Sequence, residues 1–260
     1  MPLIFRNIVT KAFDTDPTGV NVFYQKTEQL KAYDIYERYE LLQRQVYTHL
    51  VHDMYASVRK EMGQLITSFM PKGKLVLELG CGIGHELYEI SKAYPFEYYL
   101  GIDSSMRFLK SAQKFFVDGE KVTFELGRYG LDAQSFQFSG NSSLNFCLAD
   151  AEDLPLTNDS ADLLMHYFLF DRVSNPELLI REIRRVLRPG GVCICATPFN
   201  FSSLDNRNLY GDPQKLKGLF RQFDMLPISP EIVMPVEEAL DIAGNKIVWN
   251  THLFAFRKDV

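Results

Sequence analysis

Apolar positions recur at helical spacing from about Thr27 to Phe69. Val51, Met54, Val58, Met62, Leu65 and Phe69 step by three or four, which predicts one buried stripe. The stretch is too long for a single uncapped globular helix, so two or more helices are expected, ending at Pro71-Lys72-Gly73. Five short apolar runs follow: Leu75–Leu79, Tyr98–Ile102, Leu144–Leu148, Ala161–Tyr167 and Val192–Thr197. Helical patterns separate most of them. The clearest is Pro176–Leu187, where Asn175 is placed to cap, Pro176 suits the first turn, and Leu178, Leu179, Ile183, Val186 and Leu187 form the apolar face. Strand–helix alternation of this kind predicts βαβ units: an α/β fold with a mostly parallel sheet and helices on both faces.

Two segments depart from the alternation. Gly127–Ser143 is rich in Gly, Ser, Asn and aromatics and reads as an insertion, about 120–143, carrying a small hairpin before the third strand. After Thr197 a polar loop is expected over Phe201–Asn208, then a short helix near Pro213–Phe223 and a last strand over Ile247–Phe256. The organisation expected is an N-terminal helical lid (1–70) on a core domain (71–260).

Composition narrows the function classes. The chain has 260 residues and a net charge of −5, with 46% hydrophobic and 23% charged residues. Those fractions exclude wholesale disorder. The acidic balance argues against a protein that grips nucleic acid by bulk charge. The start Met1-Pro2-Leu3-Ile4-Phe5-Arg6 does not read as a secretory signal, and no apolar run reaches the ~18 residues of a membrane span. Cys81, Cys147, Cys193 and Cys195 lie in or beside buried runs without Cys-x-x-Cys spacing, so they are read as reduced thiols in a cytoplasmic protein, with no metal expected.

The densest chemistry lies in Val76-Leu77-Glu78-Leu79-Gly80-Cys81-Gly82-Ile83-Gly84-His85. A buried strand ends in an acid and a loop with glycine at every second position, and a helix follows. Glycines allow a tight turn and close approach of a ligand, and the helix start offers free N–H groups. A dinucleotide loop would need glycine where His85 stands. Glu78 would also repel a pyrophosphate, whereas an ammonium-bearing ligand tolerates it. Asp103 ends the next strand, 21 residues after Gly82, where a carboxylate can accept both hydroxyls of a ribose. Asp150 ends the third strand and can accept from an adenine amino group. Three acidic strand tips around one glycine loop describe a site for an adenosine with a positive tail.

From about Leu75 to Thr197 the chain resembles the Rossmann-like S-adenosylmethionine-dependent methyltransferases, most closely their small-molecule branch. The resemblance rests on four elements in order: Glu78 to Gly84, Asp103-Ser104-Ser105-Met106, Asp150-Ala151-Glu152-Asp153-Leu154-Pro155, and Arg181 to Gly191. It implies a Rossmann-like, seven-stranded, mostly parallel sheet with S-adenosylmethionine as cofactor. Glu78, Gly80, Cys81, Gly82 and Gly84 would then hold the methionine part, and Asp103 and Ser104 the ribose end. Met106 would cover one adenine face, and Asp150 and Ala151 would hold the adenine edge.

In that family the methyl group points to the end of the fourth strand, here His166-Tyr167-Phe168-Leu169-Phe170-Asp171-Arg172. His166 and Tyr167 are the expected catalytic polar groups, and His166 can also line the cofactor through its backbone. Asp171 and Arg172 stand where many relatives have a His-His pair and are expected near the substrate, with Tyr24 and Tyr33 from the lid. His85 is expected beside the cofactor or in solvent. The expected activity is direct methyl transfer to a small molecule. The rivals are a protein or RNA methyltransferase, and a cofactor-binding pseudo-enzyme without turnover.

Overall fold

The computed structural model describes residues 8–23, 35–69 and 73–259. In chain order, β1 (Asp14–Thr15) and β2 (Asn21–Val22) precede α1 (Tyr39–Gln45), which runs directly into a π-helical turn, Val46–Val51. Then come α2 (Ala56–Phe69), β3 (Leu75–Leu79), α3 (His85–Ala93), β4 (Tyr98–Asp103) and α4 (Met106–Ala112). The short pair β5 (Val122–Phe124) and β6 (Gln134–Phe136) follows, then β7 (Leu144–Leu148), β8 (Ala161–Tyr167), α5 (Pro176–Val186) and β9 (Leu187–Thr197). The chain closes with α6 (Leu204–Tyr210), α7 (Pro213–Gln222), β10 (Met225–Pro227), β11 (Ile232–Ala239) and β12 (Lys246–Lys258).

Seven strands run side by side in the order β7-β4-β3-β8-β9-β12-β10. The first five are parallel, and β12 and β10 are antiparallel to their neighbours. The sheet is larger than the expected seven strands. The β1–β2 ribbon extends one edge and β11 adds to β12, making ten strands among the described residues. β3 is buried at all five positions and β8 at all seven, the mark of a sheet covered on both faces. One face packs on α2, α3 and α4 through Val58, Met62, Leu87 and Leu109; the other packs on α5 and α7 through Leu179, Ile183, Leu216 and Phe220. Asn175 caps α5 as its position suggests, accepting from the N–H of Glu177 and Leu178.

Two expectations change here. The helical stripe breaks before α2: Asp53 sits at φ 46° and α2 starts at Ala56, so Val51 and Met54 lie outside it. The polar stretch after Phe201 holds a helix, not only a loop, because Ser203 accepts from the Asn206 N–H and nucleates α6. The segment around 120–143 forms the antiparallel β5–β6 pair, set apart from the main sheet.

Candidate functional site

The carboxyl ends of β3, β4, β7 and β8 open into a cavity of about 390 Å³, within the range of small-molecule sites. Its position is the one general to open α/β sheets, outside the strand ends where the strand order reverses between β3 and β8. Gly80, Gly82 and Gly84 all have positive φ (66°, 53° and 79°). A Cβ on Gly82 would lie 2.8 Å from Gln45 Oε1, and one on Gly84 would lie 2.6 Å from the Phe146 ring, so side chains are excluded by both conformation and space.

Glu78, Asp103 and Asp150 all line this cavity. Glu78 is buried and its Oε2 has no partner. Burial, then the nearby Glu86 charge, push its carboxyl well above the ordinary range. Asp103 accepts 2.8 Å bonds from the N–H of Gly82 and Ser105, tying the glycine loop to the tip of β4. Burial raises its pKa from 3.8 to about 6 despite these bonds. Asp150 accepts from the Glu152 N–H, fixing the turn after β7. Gly80, Cys81, Ser104 and Ala151 share the cavity wall. Met106 and Gly84 do not: the Met106 N–H donates to Glu37, and Gly84 is the N-cap of α3.

At the tip of β8 the structure separates the two adjacent residues expected to act together. Tyr167 lines the cavity, as do Phe168, Leu169 and Arg172. His166 is fully buried and lies off the cavity wall, with neither ring nitrogen hydrogen-bonded. The reason is strand alternation: Met165 and Tyr167 join the cluster on the N-terminal helices, and His166 points with Leu164 to the opposite face. Asp171 is likewise buried off the wall and accepts from the Asn200 N–H. Tyr24 and Tyr33 lie outside the described residues.

The opposite wall comes from α1, its π turn and the β11–β12 hairpin: Tyr36, Arg44, Gln45, Thr48, His49, Tyr55, Glu238 and Trp249. Tyr55 packs 5.1 Å from the rings of both Tyr167 and Phe168, and Phe168 lies 6.1 Å from Trp249, so aromatic faces bound the space beyond the glycine loop. Phe168 holds φ at 50°, a strained value for an aromatic residue and an observed outlier at the cavity edge. Arg44 and the Trp249 indole both bond Glu238, whereas Arg172 makes no ion pair among the described residues. Burial pushes the Tyr167 hydroxyl well above its ordinary pKa, so it stays a proton donor, and it has no partner in the fold.

A group that sequence reasoning missed lies beside the glycine loop. His49, His85 and Glu86 are buried together on the cavity wall, backed by Arg59, which bonds Glu86 at 2.6 Å and Asp53 at 2.5 Å. His49 is 36 residues from His85, and no local motif signals the pair.

Residues 77–195 match the methyltransferase-domain family. The matched segment, a little under half of the chain, is similar to a methyltransferase domain. It is 25% identical over 148 residues to a malonyl-[acyl-carrier protein] O-methyltransferase of Hahella chejuensis, covering 56% of this chain and 45% of that protein. It is 29% identical over 167 residues to a demethylmenaquinone methyltransferase of Thermotoga maritima, covering 64% and 59%. The chain thus spans about half the length of these curated relatives. In fold, the chain superposes with a TM-score of 0.51 on a SAM-dependent methyltransferase of Methanosarcina mazei, at 20% identity over 75% of this chain and 97% of that one. The fold is therefore the Rossmann-like methyltransferase fold, and no helix among the described residues is long and apolar enough to cross a membrane.

Proposed function

We propose that this chain is an S-adenosylmethionine-dependent methyltransferase whose acceptor is a small molecule bearing an acidic group. The observation that carries the reading is the convergence of Glu78, Asp103 and Asp150 with the glycine loop on one cavity. The orphaned Glu78 Oε2 fits an ammonium, the open lone pairs of Asp103 fit vicinal hydroxyls, and Asp150 fits an exocyclic amine. When bound, S-adenosylmethionine supplies a methyl carbon on a sulfonium that an acceptor lone pair displaces directly.

The protein's part is to position and to exclude water. Tyr55, Tyr167, Phe168 and Trp249 offer an apolar enclosure for the acceptor body, and the unpaired Arg172 guanidinium suits a carboxylate or other acidic oxygen. An acceptor already ionised near neutral pH needs no general base, which agrees with His166 lying off the wall. The Tyr167 hydroxyl donates to the acceptor rather than taking its proton. Of the relatives' named substrates, malonyl-[acyl-carrier protein] carries a free carboxylate.

The test is twofold. Calorimetry with S-adenosylmethionine and with NAD is expected to show binding of the former alone; the reverse pattern, or silence, overturns the cofactor assignment. Incubation with methyl-labelled cofactor and a metabolite extract is expected to label the acidic small-molecule fraction, and label confined to protein or RNA overturns the acceptor class.

A further inference from the structure

The His49–His85–Glu86 cluster does work that neither cofactor binding nor acceptor enclosure explains. His49 comes from the π turn after α1, and His85 and Glu86 open α3. Each side chain is about nine-tenths buried or more, and each lines the cavity. One ligand-type atom from each lies within 4.8 Å of the other two. Glu86 Oε1 is 3.3 Å from His85 Nδ1 and 3.9 Å from His49 Nδ1.

Both contacts draw the carboxylate and imidazoles together electrostatically, but they are too long or too poorly aligned for well-formed hydrogen bonds. Glu86 Oε1 and His85 Nδ1 are both buried without a hydrogen-bond partner although they face each other. A buried acceptor left unmade costs roughly 1–3 kcal/mol, so such pairs are rare unless a third atom satisfies them. The other carboxylate oxygen, Oε2, is already held by Arg59 at 2.6 Å, which leaves Oε1 free and aimed at the imidazoles. Burial opposes charge on Glu86, but the imidazoles and Arg59 outweigh it and keep the carboxyl ionised, well below the ordinary range. Around the cluster, Glu78, Glu86 and Asp53 outnumber Arg59, so the local balance favours a cation.

We propose that His49 Nδ1, His85 Nδ1 and Glu86 Oε1 form a binding site for a divalent transition metal, with zinc the best match. Bonds of about 2.0–2.2 Å to nitrogen and oxygen at a tetrahedral centre set ligand atoms about 3.3–3.5 Å apart. The two edges to Glu86 Oε1 are 3.3 and 3.9 Å, and a ring nitrogen of His49 and one of His85 lie within 4.8 Å of each other, so binding draws the three together by up to about an ångström. Three protein ligands leave one coordination position, as in zinc sites that take an exogenous ligand. That position opens into the cavity, since all three residues line it. Coordination through Nδ1 of His85 puts its proton on Nε2, which faces Glu89 Oε1 at 3.9 Å, and Arg59 orients Glu86 from behind. Asp53 Oδ1, also without a partner, stands 4.0 Å from His85 Nδ1 and can supply a further oxygen.

The test uses the whole chain after chelator treatment, with metal alone, so it does not depend on the proposed cofactor or acceptor. Calorimetric titration with Zn²⁺ is expected to show one equivalent bound, and Co²⁺ to give the visible absorption of a tetrahedral centre. His49→Ala and Glu86→Gln are each expected to lose at least the ~100-fold that removing even an outer partner of a metal site can cost. His52→Ala, which removes an exposed imidazole nearby, is expected to change nothing. X-ray absorption on the wild-type zinc form, needing no variant, is expected to show nitrogen and oxygen neighbours including two imidazoles. No uptake, affinity unchanged in both variants, or a sulfur-containing shell overturns the site.

Discussion

The two walls of the cavity differ in how they are built. The wall proposed to hold the cofactor is made of strand tips and the turns that follow them. Glu78 and Asp103 sit at the ends of buried strands and Asp150 follows one, and backbone N–H groups pin Asp103 and Asp150. The wall proposed to face the acceptor is assembled from pieces far apart in the chain: Tyr55, Tyr167, Arg172, Glu238 and Trp249. The segment around 120–143 joins this assembly, since Tyr129 stacks on Tyr47 at 4.2 Å and its carbonyl accepts from the Ile242 N–H. The first wall is tied to the sheet, so its ligand is set by the fold. The second can change by swapping surface elements, which is where acceptor choice belongs.

The comparison breaks most sharply if the walls are not separable. Asp103→Ala is expected to weaken S-adenosylmethionine binding by roughly 1.5–3 kcal/mol, the range for hydrogen bonds to a charged group. Trp249→Ala is expected to leave that affinity unchanged in the same calorimetric assay. Equal losses in both variants would mean the walls form one site without division of labour.

Arg172→Ala probes the other wall. Its guanidinium lines the cavity without an ion pair, so its loss is expected to raise the acceptor KM about tenfold or more, leaving cofactor affinity alone. Steady-state kinetics on an acidic acceptor checks this. An unchanged KM would remove the acidic group from the proposed acceptor.

A smaller effect comes from pH. Burial raises the Asp103 pKa from 3.8 to about 6 in the folded chain. Ribose hydroxyls donate to the carboxylate form, so cofactor affinity is expected to be full above about pH 7 and to fall by up to about tenfold per unit below pH 6. Stability runs the other way. The folded chain holds this proton more tightly than the unfolded one, so the contribution is complete below 3.8 and is lost as pH rises through about 6. Asp103→Asn is expected to flatten both trends at this position. Binding titrations and thermal melts between pH 5 and 8 measure the two slopes.

The same division explains what could be read in the sequence. The strand–helix alternation and the glycine loop are local patterns, so Glu78, Asp103 and Asp150 are recognisable before any coordinates. The additional sheet edge, β10 and β11, was less visible: Met225–Pro227 is too short to show alternation, and β11 exposes Val233 and Pro235 while burying Glu238. The acceptor wall was legible only where it touched a motif, at Tyr167 and Arg172. Tyr55, Glu238 and Trp249 carry no spacing signal, and His49 meets His85 only through packing of the π turn on α3.

The smallest expected effect concerns His166, which sequence position alone makes a plausible base. In the fold it faces away from the cavity, opposite Cys195 in the β8–β9 register, with both ring nitrogens buried and without hydrogen bonds. A group so placed does not reach an acceptor; its polarity acts inside the fold, on the Cys195 thiol and the Asp171 carboxyl. His166→Leu keeps similar volume and replaces unsatisfied nitrogens with apolar surface, so stability is expected to shift by less than about 1.5 kcal/mol. Turnover on the true acceptor is expected to remain close to wild type, far from the ~10²–10⁴-fold loss that follows removal of a general base. Tyr167→Phe, one residue along and on the opposite face, is expected to raise KM measurably because Tyr167 lines the cavity and its buried hydroxyl has no partner among the described residues. The paired variants therefore test strand alternation itself. A large loss of turnover in His166→Leu with an unaltered Tyr167→Phe would mean that β8 presents its other face to the reaction.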